Sequence, residues 1–222
     1  VFNMLLGANV SPVRPTAAAT CRPVVAANAH RARQCLDGLL ISGFRPLPLS
    51  DPEAPISHGT PSDALFVYKQ DSLPDRLVLM DIPDVDSICP EHWEVAENIQ
   101  AAGDVLVAVV TPEKYQDERV VAFFRRARAA GRRVLPLMNK ADPHEDFRAA
   151  RAQLNDFCRS ANLDHNPAFV LPHDFNMAED FHCEISPLDG ALPLRAYLDT
   201  LDAASIKAEV YQDTIRHFSS QF

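Results

Sequence analysis

Hydrophobic residues along this chain form short continuous runs that alternate with stretches of helical spacing. The runs predict strands at residues 21–27, 64–69, 76–81, 105–110, 134–138 and 168–171, with 64–69 expected at a sheet edge. Helical spacing predicts helices at residues 91–102, 117–130 and 145–161. Residues 44–60 are rich in proline and turn residues and predict a loop or irregular insert. This alternation predicts an α/β fold, a three-layer sandwich whose mostly parallel sheet lies between helices.

Both ends of the chain carry apolar residues at helical spacing. Residues 1–7 begin such a segment without a capping Ser, Thr, Asp or Asn. Residues 194–222 contain no Gly or Pro that would end a helix. We therefore expect an excerpt from a longer protein, with one N-terminally truncated α/β domain at residues 1–190 and a C-terminal helix at 191–222.

The composition narrows the choice of partner. The chain has 222 residues, a formal charge of −9 and a pI near 5.3. Such an acidic chain is not expected to bind nucleic acid, because phosphate neutralisation needs clustered Lys and Arg. Arginines that cluster at residues 125–133 flank one predicted helix and are interpreted as a solvated face. Five scattered cysteines predict reduced thiols in a cytoplasmic protein. Because no apolar run reaches roughly 18 residues, we expect any membrane contact to be peripheral.

Polar segments follow two of the predicted strands. Asn139, Lys140 and Asp142 come directly after one apolar run, and Asp81 ends another. Ligands of open parallel sheets lie beyond the carboxyl ends of strands, so these residues are candidates for a binding site. The alternative is structural, with Asn139 and Asp142 in a polar turn before a helix and Asp84 as a turn or cap residue.

The order and spacing of these segments resemble the GTP-binding domain of P-loop GTPases, in particular bacterial dynamin-like and related large GTPases. Asn139-Lys140-Ala141-Asp142 has the form of the N-K-x-D motif. The run that begins Asp81-Ile82-Pro83-Asp84 resembles a D-T-P-D-x-D-S variant of the second switch. The resemblance covers roughly residues 1–190, and residues 191–222 would then begin a helical stalk.

The resemblance implies that guanine nucleotide is the ligand. Asp142 would accept hydrogen bonds from the N1 and N2 groups of the base, Asn139 would contact its N7 side, and the Lys140 stem would lie along the ring. A buried carboxylate matched to two donors discriminates against adenine, which leaves that carboxylate unpaired. His173-Asp174 follows the last predicted strand, where the family has its second guanine-contacting loop.

The resemblance also implies a magnesium ion. Asp81 would orient a water bound to Mg²⁺, since magnesium usually keeps several waters. Thr20 precedes Arg22-Pro23 as a first-switch threonine does, and it would coordinate Mg²⁺ through its hydroxyl; Thr16 is the competing assignment. Asp84 stands where the family has Gly, and it would offer its backbone N–H to the γ-phosphate.

The implied activity is hydrolysis of GTP to GDP and phosphate in the parent protein. This chain contains no G-x-x-x-x-G-K-[ST], and residues 2–7 match the F-N-x-L-L-G that follows it in the family, so the chain alone is expected to be inactive. One alternative is a degenerate GTPase fold that acts as a non-catalytic binding or assembly module. Another is a phosphotransferase of the haloacid-dehalogenase type, suggested by Asp84-Val85-Asp86-Ser87. Peripheral membrane attachment and homo-oligomer formation through the parent stay open.

Overall fold

The structure, a computed structural model, confirms the α/β class. It describes residues 1–12, 22–38, 41, 43–57, 60–82, 103–164, 167–173, 181, 183–190, 192–202, 204–206 and 208. The chain divides into an N-terminal unit, Phe2–Ala102 with Asp180–His182, and a C-terminal unit, Gly103–Glu179 and Cys183–Phe222 with Val1. Among the described residues each unit has one four-stranded sheet, whereas the sequence predicts a single sheet. The reason for this difference is that a hydrophobic pattern identifies strands but not the edges that pair.

The sheet of the N-terminal unit has three parallel strands and one antiparallel strand. Its strands are β1 (Val24–Ala27), β2 (Arg45–Pro48), β3 (Ala64–Lys69) and β4 (Leu79–Asp81). Their order is β2-β3-β1-β4, with β4 antiparallel to β1. Because β3 lies between β2 and β1, the prediction of an edge strand at residues 64–69 is wrong.

Strand β2 contains Pro46 and Pro48, which is why the sequence predicted a loop there. The backbone N–H groups of Arg45 and Leu49 both donate to carbonyl oxygens on the β3 side, each at 2.8 Å. Alternate residues of a strand direct their N–H groups to the same neighbour, so the two proline nitrogens point away from β3. Since β2 lies at the edge of the described sheet, its prolines remove no hydrogen bond from that sheet.

The described residues of the N-terminal unit include the α-helices α1 (Phe2–Leu6) and α2 (Ala29–Leu36). The Asn28 side chain caps α2 by accepting from the Arg31 backbone N–H at 3.0 Å. The sheet is buried on both faces, because β1 directs Val24 and Ala26 into a cluster with Leu6 of α1. The alternate residues of β1, Val25 and Ala27, join a second cluster with Ala32 and Cys35 of α2.

The sheet of the C-terminal unit carries the strands that the sequence predicted best. Its strands are β5 (Val105–Val110), β6 (Arg133–Ala141), β7 (Phe169–Pro172) and β8 (Ser186–Pro187), in that order. Strands β5, β6 and β7 are parallel, and β8 is antiparallel to β7. The predicted strand at residues 105–110 is confirmed at both ends, and β6 continues three residues beyond its predicted end at Met138.

The helices of the C-terminal unit also follow the prediction closely. Helices α3 (Glu118–Ala129) and α4 (His144–Ala161) lie within one residue of the predicted bounds. The Asp117 side chain caps α3, and Asn162 ends α4 in the left-handed conformation, φ 56°. The helices contact each other through Phe124 and Phe157, whose rings meet edge to face at 6.0 Å between centroids.

A further helix, α5 (Leu194–Thr200), lies near the C-terminus. It ends before Leu201, whose backbone is extended at ψ 128°, so the described residues do not form the continuous helix predicted for 191–222. The predicted helix at residues 91–102, and positions 209–222, lie outside the described residues. None of the helices in the described part of the chain has the length and apolarity needed to cross a membrane.

Candidate functional site

Polar side chains follow each of the three parallel strands in the C-terminal unit. Apolar residues, four of them Val, form β5. The chain turns after it at Thr111, whose carbonyl accepts the backbone N–H groups of Lys114 and Tyr115. Lys140 lies at the end of β6, and His173 follows β7. The carboxyl ends of parallel strands meet at one sheet edge, where open α/β sheets bind ligands. The structure therefore brings these three segments together.

The end of β6 has an unusual backbone. The register with β7 shifts between Met138 and Ala141, and Lys140 adopts φ 57°. A positive φ is uncommon for a residue other than glycine, and such conformations concentrate at binding sites and turns. Pairing resumes at once, because the His173 N–H donates to the Ala141 carbonyl at 2.8 Å. The shift leaves Asn139 half-buried and Lys140 exposed.

Asp142 begins the turn into α4. Its Oδ1 accepts the backbone N–H of His144 at 3.0 Å, and the side chain is 65% exposed. The expectation of a buried carboxylate at this position is therefore wrong, because helix α4 begins directly after it and faces solvent here. A carboxylate has about four acceptor sites, so one hydrogen bond to its own helix leaves capacity for a ligand.

Groups from three strand ends act on Glu113, two residues after Thr111. A hydrogen bond from the Thr111 hydroxyl is the largest cause that lowers the pKa of Glu113, followed by its own backbone N–H. The positive charges of Lys140 and His173 lower this pKa further. Glu113 is exposed, so these charges are screened by solvent. The parallel pairing of β5 with β6 and of β6 with β7 places the ends of these strands side by side.

Asp81 lies in the N-terminal unit, where it ends β4 opposite Val24 of β1. The residue is half-buried, and its Oδ2 accepts the Ser11 hydroxyl at 2.5 Å. This distance is at the short end of the range for a hydroxyl donating to a carboxylate. Ser11 is itself tied to Asn3 of α1, so the Asp81 carboxylate is fixed by a segment far away in sequence.

The predicted site residues fall into three groups. Asn139, Lys140 and Asp142 share the end of β6 in the C-terminal unit, and Asp81 belongs to the N-terminal unit. Thr20 and Asp84, with the competing Thr16, lie outside the described residues. In the described part of the chain, no three His, Cys, Asp or Glu residues come together as a metal cage.

Sequence reasoning missed three residues that the structure places beside the candidates: Asn3, Ser11 and Glu113. Asn3 is the one signal that was visible, as a lone amide within an apolar helical segment. Ser11 could not be found, because its contact with Asp81 joins positions 70 residues apart.

Protein-family models, curated proteins and solved structures were all compared with this chain, and none matches.

Proposed function

We propose that this chain is the guanine-nucleotide-binding part of a protein that hydrolyses GTP to GDP and phosphate with magnesium. The observation that carries the proposal is the end of β6. There an amide and an ammonium lie in the last residues of a buried parallel strand and a carboxylate follows it, at a register shift with a positive φ at Lys140. In finer detail we propose a P-loop GTPase-like sandwich without its first strand, with a helical extension at the C-terminus.

Each candidate has a role in recognising the base. The Asp142 carboxylate accepts from the N1 and N2 donors of guanine, and Asn139 binds the N7 side. The Lys140 stem lies along the face of the ring, for which its exposed side chain is suited. Because the Asp142 carboxylate already accepts a backbone N–H from the turn before α4, its position is set before the nucleotide arrives, which reduces the cost of ordering on binding.

Magnesium fits the donor chemistry at Asp81. This cation binds hard oxygens, usually through one or two carboxylates and the phosphates of the substrate, and keeps several waters. Asp81 supplies a half-buried carboxylate at a strand end. We assign the Thr20 hydroxyl as a ligand of the same ion and the backbone N–H of Asp84 as a contact with the γ-phosphate. When bound, the ion would neutralise charge on the transferring phosphoryl group. The side chains contribute by positioning and charge, since water attacks the phosphate without a covalent intermediate.

The test is a titration of the full-length protein with GTP and ATP, with and without Mg²⁺. We expect GTP to bind at least 100-fold more tightly than ATP, because a site built around hydrogen bonds rejects a base that leaves them unpaired. Asp81→Asn should lower the hydrolysis rate in Mg²⁺ and leave discrimination between GTP and ATP unchanged. Equal affinity for GTP and ATP would contradict the proposal.

A non-catalytic binding or assembly module is the second candidate function. It is favoured by Asp84 in place of Gly and by the absence of G-x-x-x-x-G-K-[ST] from this chain. The same titration separates the two functions. Tight GTP binding without release of phosphate over hours would favour the module, and phosphate release that depends on Mg²⁺ would favour the GTPase.

A further inference from the structure

Two polar residues are buried in the described part of the chain, Asn3 at 6% exposure and Ser11 at 3%. Both belong to the N-terminal unit. Burial of an amide or a hydroxyl is unfavourable unless each polar atom finds a hydrogen-bond partner. The partners of these two residues therefore show what the buried groups hold in place.

Asn3 fixes the backbone of Ser11 from both sides. The Asn3 Oδ1 accepts the backbone N–H groups of Val10 at 3.1 Å and Ser11 at 2.9 Å. Its Nδ2 donates to the Ser11 carbonyl at 2.7 Å and to Asn9 Oδ1 at 3.3 Å. With its N–H and carbonyl both bound by one side chain, Ser11 has little freedom to move.

The Ser11 hydroxyl then reaches across the unit to the end of β4. It donates to Asp81 Oδ2 at 2.5 Å, a hydrogen bond to a charged acceptor of the stronger kind. The backbone of Asp81 is meanwhile held by the pairing of β4 with β1. The Asp81 carboxylate is thus held at its backbone and at one oxygen, which restricts its rotation.

We propose that Ser11 is a positioning residue, which sets the orientation in which the Asp81 carboxylate meets a magnesium-bound water. This inference rests on the proposed function, because it assumes that Asp81 acts on the metal. Groups that hydrogen-bond to a metal-linked side chain fix its geometry, and their loss typically costs 10- to 100-fold in metal affinity or activity. Ser11 does not contact the nucleotide or the metal in this role.

A purely structural link between the N-terminal segment and β4 would not need these groups. Two apolar side chains of similar shape could join the same positions with little or no cost in stability, whereas a hydroxyl and a carboxylate must be desolvated together. The Ser11–Asp81 pair lies at the end of β4, at the acid that the sequence predicts to act on magnesium. This position favours a role in orienting the Asp81 carboxylate.

The test uses the full-length protein and three variants. Ser11→Ala removes the hydroxyl and keeps the backbone contacts with Asn3, and Ser11→Cys keeps the volume with a weaker donor. Ser205→Ala is the matched control, because the Ser205 hydroxyl donates to Asp202 Oδ2 at 2.7 Å in an exposed pair of the other unit. For each protein, Mg²⁺ is titrated against binding of a fluorescent guanine nucleotide, and the melting temperature is measured without ligand.

Ser11→Ala should raise the Mg²⁺ concentration for half-maximal nucleotide binding by about 10-fold or more. Ser11→Cys should give a smaller rise, and Ser205→Ala should match the wild-type protein. If Ser11→Ala fails to fold, the rise in Ser11→Cys decides the question. A lower melting temperature with an unchanged Mg²⁺ midpoint would show a structural link and overturn the inference. Absence of any Mg²⁺-dependent nucleotide binding by the wild-type protein would instead overturn the proposed function, and this inference with it.

Discussion

The two units of this chain hold an acid at a strand end in opposite ways. Asp81 is half-buried, and its carboxylate accepts a hydroxyl from a residue 70 positions away. Asp142 is 65% exposed, and its carboxylate accepts a backbone N–H from its own turn. The same sequence pattern, an acid after an apolar run, thus produces one side chain fixed by tertiary contacts and one fixed locally. The first arrangement suits orientation of a metal-bound water, and the second suits a base that approaches from solvent.

The cores of the two units differ at the positions where side chains can be compared. Strand β1 of the N-terminal sheet buries Val and Ala, with Phe66 of β3 in the same cluster as Val24 and Ala26, whereas the C-terminal helices pack Phe124 against Phe157. Truncation of a fully buried ring leaves a larger cavity than truncation of a β1 residue, so we expect Phe157 to be the more sensitive position.

The largest expected effect follows from Phe157, which is 0% exposed. Phe157→Ala should lower the free energy of unfolding by about 3–5 kcal/mol, because it leaves a cavity in the core. Val25→Ala, at a fully buried position in β1, should cost about 2 kcal/mol for the two buried methyl groups that it removes. Urea unfolding followed by circular dichroism measures both, with Leu192→Ala at a 41% exposed position as control. Equal losses at Phe157 and Val25 would contradict the comparison of the cores.

The second prediction concerns Asn3. Asn3→Ala should lower the free energy of unfolding by about 3 kcal/mol, since the buried N–H groups of Val10 and Ser11 lose their acceptor. Asn28→Ala is the control and should cost only about 1 kcal/mol, because it removes a half-buried helix cap. Chemical denaturation of the two variants compares them directly. A loss at Asn3 no larger than that at Asn28 would show that the buried network does not fix Ser11.

A smaller effect is expected at Asp142. Asp142→Ala should destabilise the protein by about 1 kcal/mol, because the turn before α4 loses the acceptor of the His144 N–H. Asp142→Asn keeps an acceptor oxygen and should change stability by less than about 0.5 kcal/mol. Thermal unfolding of both variants shows whether Asp142 is held locally, as the comparison with Asp81 requires. A larger loss in the Asn variant than in the Ala variant would count against local capping.

The smallest expected effect is a pH dependence at Glu113, whose folded-state pKa is lowered from 4.5. As the pH falls below 4.5, Glu113 takes up a proton in the unfolded chain before it does so in the folded protein. The stability that Glu113 contributes above pH 4.5 is therefore lost progressively, until the pH falls below its folded-state pKa. Glu113→Gln should therefore flatten the fall of the melting temperature below about pH 4.5. Lys140→Gln should flatten it in part, because Lys140 supplies one of the charges that lower the pKa of Glu113. An unchanged slope in Glu113→Gln would contradict the lowered pKa, and an unchanged slope in Lys140→Gln would show that the end of β6 does not act on Glu113.

The sequence predicted the strands and helices of the C-terminal unit more accurately than those of the N-terminal unit. The run at residues 105–110 predicts β5 at both ends, because six apolar residues in a buried parallel strand leave little ambiguity. Strand β2 was missed, because its two prolines predict a loop unless the strand lies at a sheet edge. Asp81 and Asp142 were found as strand-end acids, but their burial was not, because burial depends on which distant segment covers each strand end. Ser11 shows the limit most clearly, as its partner is set by tertiary structure alone.

The affinity of the full-length protein for guanine and xanthine nucleotides, measured before and after Asp142→Asn, tests the central claim most directly. The account predicts that the variant binds GTP roughly 100-fold more weakly, because the amide cannot accept from both donors of guanine. It also predicts that XTP becomes the preferred ligand, since the amide can donate to the C2 oxygen of xanthine. Unchanged GTP affinity, or equal loss for GTP and XTP, would contradict the assignment of the β6 end as the site that reads the base.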